Sequence, residues 1–115
     1  MERYLLLYRT GKPETAAPLS ETMVERARSL LHEMTMAGVL LAVEGCLPTE
    51  LGARARHDKG EITVIDGPFT DLKEIISGVL LLQTKSKSDA IHWSKRLLTI
   101  LGEGSVEVRL LANVG

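Results

Sequence analysis

The chain has 115 residues, 44% of them apolar, and a formal net charge of −1. That length suits one domain with a sizeable core, and the charge balance excludes the basic field that nucleic acids or anionic membrane surfaces require. One Trp, one Phe and two Tyr offer no base-stacking platform, and a single cysteine, Cys46, allows no intrachain disulfide, which fits a reducing cytoplasm.

The opening, Met1-Glu2-Arg3-Tyr4, leads into no long apolar run. Leu5 to Leu7 is too short for a secretion signal or a membrane span, so a cytoplasmic location is expected. Arg3 to Tyr8 reads as a buried strand. Thr10 to Pro18 carries Gly11, Pro13 and Pro18 and reads as a loop. Ser20 is placed to cap a helix from Glu21 to Ala37, along which Met23, Ala27, Leu30, Leu31 and Met34 recur at helical spacing. Gly38 is suited to end it in the left-handed conformation.

Val39 to Leu47 reads as the second strand and Pro48 to Gly52 as a turn. In Ala53 to His57 the arginines Arg54 and Arg56 alternate with small residues, the period of a strand with one polar face. Asp58-Lys59-Gly60 supplies a hairpin turn. The returning strand, Ile62-Thr63-Val64-Ile65, is β-branched throughout and is expected to be largely buried. It ends in Asp66-Gly67-Pro68-Phe69-Thr70, where Pro68 stops the ladder and Thr70 is placed to cap a helical turn over Asp71 to Glu74.

Ile75 to Thr84 contains the apolar run Val79 to Leu82 and reads as a central strand buried on both faces, with Gly78 marking a bulge or a close approach. Ser86 and Asp89 form a capping box that opens a helix. On it Ala90, Ile91, Ser94, Leu97, Leu98 and Leu101 share a face, and Gly102 and Gly104 end it. Val106, Val108 and Leu110 alternate with Glu107 and Arg109 in a last strand, and the tail after Leu111 is expected to fray. The element order is that of two βαβ halves with a hairpin inserted between them, giving a two-layer α+β sandwich. Its open sheet face lacks a polar pattern and is expected to be covered in a homodimer.

Asp66-Gly67-Pro68-Phe69 resembles the signature of the YCII-related proteins of the DGPF type. The opening Met1 to Tyr8, the segment Ala37 to Leu41 with Glu44-Gly45 and Leu47-Pro48, the residues Lys73-Glu74 and Gly78, and the closing Val106 to Arg109 follow that family's order. The resemblance spans nearly the whole chain, residues 1–115, as one domain. It implies a ferredoxin-like α+β fold that pairs into a dimeric α+β barrel. It also implies a small polar or anionic ligand and, by analogy with active members of the superfamily, lyase-like proton transfer without a metal or other cofactor.

Asp66 is the first candidate for such chemistry. It is either a desolvated carboxylate able to exchange a proton, or a turn acid capping the amides near Phe69. Glu44 is a secondary candidate: if it points inward beside Ala42 and converges on Asp66, the two acids would split their pKa values. Otherwise it is an exposed strand-end acid. His32, His57 and His92 match no metal-ligand spacing. Shorter relatives carry a helix His paired with an acid. That position falls near Ala27 here, so His32 stands only as a secondary partner, with a surface histidine as its other reading. Arg54, Arg56, Phe69 and Lys73 are candidates to hold an anionic ligand, against a plain solvated hairpin face. Cys46 reads as a small buried thiol rather than a nucleophile. No P-loop, dinucleotide fingerprint or serine-hydrolase elbow occurs. A different class of function fits the same resemblance. DGPF-type proteins resemble partners encoded beside extracytoplasmic-function sigma factors, so the chain is alternatively a non-catalytic dimeric interaction module.

Overall fold

The structure is a computed structural model and describes residues 1–113. Its strands and helices run β1 (Glu2–Arg9), α1 (Glu21–Met36), β2 (Leu40–Gly45), β3 (Ala53–Asp58), β4 (Glu61–Asp66), β5 (Gly78–Thr84), α2 (Lys87–Leu101) and β6 (Ser105–Leu110). Short 3₁₀ turns occupy Thr49–Leu51 and Leu72–Glu74. Four strands form an antiparallel sheet in the order β2-β5-β1-β6, and β3 pairs only with β4. Two split βαβ units interleaved in this order make the ferredoxin-like α+β fold expected from the sequence.

The core forms because period 2 on β1 and β5 meets period 3.6 on the helices. Tyr4, Leu6, Tyr8, Leu80 and Leu82 face Leu30 and Met34 of α1 and Ala90, Leu97 and Leu101 of α2. Ser94 is buried in the same layer and donates its hydroxyl to the Ala90 carbonyl at 2.8 Å, so no polar group is stranded there. Ser20 and Ser86 cap the helices as expected, accepting from the N–H of Met23 at 3.2 Å and of Asp89 at 3.3 Å. Gly38 and Gly102 follow the helices with φ of 74° and 83°. A Glu33–Arg96 ion pair clasps α1 to α2 across their exposed sides.

Several expectations need correction. The β4 run is exposed throughout, not buried, because its hairpin is a sheet of its own that, among the described residues, no helix covers. β5 is buried on the helix side only. Its other face, Val79, Leu81 and Gln83, is half-exposed beside Leu5 and Leu7 of β1. A register shift between Leu40 and Ala42 sets Leu40 opposite Leu82 but Ala42 opposite Leu81, so these two residues of β2 lie on opposite faces. Asp71, not Thr70, caps the Leu72–Glu74 turn, accepting from the Lys73 N–H at 3.0 Å. Cys46 is exposed. The expected fraying of the tail falls partly on residues 114–115, outside the described residues, whereas Leu111 still donates its N–H to the Arg3 carbonyl at 2.9 Å.

Candidate functional site

The richest geometry lies where β1 and β2 end and β5 begins. Two backbone bonds and one to a side chain carry the sheet past its formal limits: Ser77 N–H to the Tyr8 carbonyl at 2.7 Å, Cys46 N–H to the Ser77 carbonyl at 2.9 Å, and Thr10 N–H to the Ser77 hydroxyl oxygen Oγ at 3.2 Å. The segment from Gly11 to Leu19 then crosses this sheet end as a strap. Glu14 ties the strap down. Its Oε1 accepts from the Thr49 N–H at 2.8 Å and its Oε2 from the Thr49 hydroxyl at 2.6 Å, while Thr49 Oγ1 accepts from the Phe69 N–H at 2.9 Å. One carboxylate thus links the strap, the Thr49–Leu51 turn and the Asp66–Phe69 corner.

A cavity of about 400 Å³ opens under the strap between Tyr8, Lys12, Cys46, Ser77 and Leu101. A second, of about 480 Å³, lies over Pro68, Phe69 and Leu72. Pro13, Glu14, Pro48 and Ile75 line both, so the strap is their shared wall. Mostly apolar walls with a few polar groups are what a small-molecule site requires. Burial raises the Tyr8 phenol above its ordinary pKa, and Tyr8 contributes to the wall of the first cavity.

The corner itself is closely packed. Gly67 donates its N–H to the Gly52 carbonyl at 3.0 Å, and a Cβ added at Gly67 would stand 1.8 Å from the Thr49 carbonyl oxygen. Only glycine fits there. Phe69 turns back under the Arg54 guanidinium, 4.2 Å from its ring centre, and Arg54 also pairs with Glu74 at 3.2 Å.

Of the sequence candidates, Arg54 and Phe69 are therefore brought together, and Phe69 lines the second cavity. Lys73 lines a separate open depression of about 460 Å³ with Arg9, Ser105 and Glu107. Asp66 is exposed at the end of β4 and lines none of these three cavities; Arg56 is exposed on β3. Glu44 does not point into the core: it is exposed, opposite Val79 on the uncovered sheet face. Asp66 and Glu44 belong to different sheets, and His32 lies exposed on α1. Sequence reasoning missed Tyr8, Glu14, Thr49 and Ser77. Glu14 and Thr49 are 35 residues apart, and no local pattern announces their contact.

A family model for the YCII-related domain matches residues 3–112. The chain belongs to the YCII-related family. An uncharacterised protein of Rhizobium meliloti (strain 1021) is 39% identical to this YCII-related chain over 93 residues, covering 80% of it and 75% of the relative. In fold it is similar to the 5-chloro-2-hydroxyhydroquinone dehydrochlorinase of Burkholderia phenoliruptrix, solved in complex with 2,5-dihydroxybenzoquinone. That likeness has a TM-score of 0.50 at 13% identity, over 96% of this chain and 95% of the other. Among the described residues, no helix is long and apolar enough to cross a membrane.

Proposed function

We propose that this YCII-related protein is a homodimer that binds a small polar molecule in the cavities beneath and beside the strap. The observation that carries this reading is the strap itself: a loop fixed by Glu14 over a largely apolar cavity lined by Tyr8 and Ser77. The fold it shares with a dehydrochlorinase supports lyase-like proton transfer as the class of chemistry. Asp66 is the proposed general acid or base. Its carboxylate is exposed in one protomer, so this role requires that ligand or a second subunit enclose it. The homodimer is supported by the half-exposed apolar face of Leu5, Leu7, Val79 and Leu81.

The test is thermal unfolding of the wild type, Tyr8→Phe and Asp66→Asn with 2,5-dihydroxybenzoquinone, small carboxylates and inorganic phosphate as probes. A ligand at a hundred times its Kd adds about 2.7 kcal/mol, a shift of several degrees. The expected result is a shift in the wild type that shrinks in Tyr8→Phe. Retention of the shift in Asp66→Asn would place Asp66 outside the binding contacts, and its loss would place Asp66 among them. If no probe moves the wild type, the reading fails. The second reading is then favoured, a non-catalytic interaction module whose working part is the dimer surface, with Asp66-Gly67-Pro68-Phe69 as a structural corner.

A further inference from the structure

The β3–β4 ribbon sorts its side chains by register. Arg54 with Ile65, Arg56 with Thr63 and Asp58 with Glu61 share one face. This face is anchored at its base, where Arg54 meets Phe69 and Glu74. Ala53 with Asp66, Ala55 with Val64 and His57 with Ile62 share the other. Four of those six residues are apolar, and Ile62 and Val64 are 73% and 67% exposed. A lone two-stranded ribbon is marginal in water, and an uncovered apolar face on it invites association.

We propose that this face is an interface between two copies of the chain, with arm laid on arm in opposite directions about a twofold axis beside the Ala55–Val64 pair. A twofold contact requires a patch complementary to itself, and this one meets the requirement. Its centre is small and apolar, its base end carries Asp66 and its tip end carries His57. Antiparallel arms set the base of each against the tip of the other, so Asp66 comes beside the partner's His57. Parallel arms would instead gather two Asp66 carboxylates at one end with no imidazole N–H between them to donate a hydrogen bond.

The surface area agrees. The chain exposes 8177 Å², against about 6,200 Å² for a monomer of its mass. Its radius of gyration is 15.8 Å, against about 13 Å for a compact domain of this length. Both excesses are those of a body that carries an uncovered projecting arm, and a standard interface removes about 800 Å² from each partner. The arm contact covers none of the residues that line the strap cavities. It uses a surface separate from the strap cavities and stands or falls without them.

Facing β-layers lie about 10 Å apart, beyond the reach of a disulfide, so the test uses a short bis-maleimide on the full chain with Cys46→Ser. Ala55→Cys chains are expected to cross-link into covalent pairs at micromolar concentration. Arg56→Cys chains, with the thiol on the opposite face, are expected to cross-link at least tenfold less. Equal cross-linking of the two would overturn the proposal, as would none in a folded Ala55→Cys protein. Sedimentation supplies the second readout. Ile62→Lys should raise the dissociation constant of the assembly at least tenfold, whereas Thr63→Lys should not. An unchanged constant in Ile62→Lys would equally sink the arm contact.

Discussion

Glu14 holds Thr49 with both carboxylate oxygens, one on the backbone N–H at 2.8 Å and one on the hydroxyl at 2.6 Å. The same hydroxyl oxygen accepts from the Phe69 N–H at 2.9 Å. Thr49→Val keeps the shape of the side chain and removes this relay. It leaves the partly buried Phe69 N–H without its acceptor, so a loss of about 1–2 kcal/mol is expected. Urea unfolding measures it. Loss of ligand-induced stabilisation at the same time would tie the strap to binding.

Gly67 and Gly78 both sit against backbone, at different clearances. A Cβ at Gly67 would stand 1.8 Å from the Thr49 carbonyl oxygen, and one at Gly78 would stand 3.3 Å from that of Glu44. The first cannot be relieved without moving the corner, so Gly67→Ala should cost more than about 3 kcal/mol and lower soluble yield. Gly78→Ala should cost about 1 kcal/mol, because a few tenths of an ångström suffice. Equal midpoints in chemical denaturation would show that the corner is looser than this packing.

These two glycines mark the boundary of what the sequence makes legible. Gly78 lies in a strand whose apolar run identifies it, so a close approach is readable from pattern alone. The ferredoxin-like order, both serine caps and the hairpin turn at Lys59-Gly60, where φ is 51° and 81°, are likewise local signals. Gly67 was legible as part of a motif, but the reason for it, the Thr49 carbonyl, is a contact between segments. The exposure of Ile62 and Val64 is illegible in the sequence for a related reason. A β-branched run reports strand propensity, and only topology decides whether anything covers the strand. Asp66 drew attention by its motif, whereas the cavity is lined by Tyr8 and Ser77, ordinary residues of a strand and its approach.

Leu81 and Leu82 are neighbours on β5 with opposite fates. Leu82 is fully buried under the helices, and Leu81 lies on the open sheet face beside Leu5. Leu82→Ala should lose about 2–5 kcal/mol at every protein concentration. Leu81→Glu should leave the fold intact and instead weaken the concentration dependence of the unfolding midpoint that a homodimer confers. A wild-type midpoint that does not move with concentration would remove the sheet-face dimer from the proposed function.

Glu107 gives the protein an acid-sensitive element on that same face. Its carboxylate accepts from Arg109 at 3.1 Å and from Arg9 at 3.2 Å. The Arg109 hydrogen bond is the main cause holding its pKa below the usual carboxylate range. Partial desolvation opposes this, and the Arg9 hydrogen bond and the charges of both arginines add to the lowering. A depressed folded-state pKa means that the unfolded chain binds the proton more readily. The contribution is then complete above the unfolded value of about 4.3, and is lost as pH falls through the folded value. Glu33, lowered chiefly by its hydrogen bond from Arg96, acts in the same window. Glu107→Gln should therefore be less stable than the wild type at pH 7 and converge with it in strong acid. Added salt should narrow the gap at pH 7. Urea midpoints measured from pH 7 down to pH 2 check this, and parallel curves for the two proteins would show that the arginines contribute nothing through Glu107.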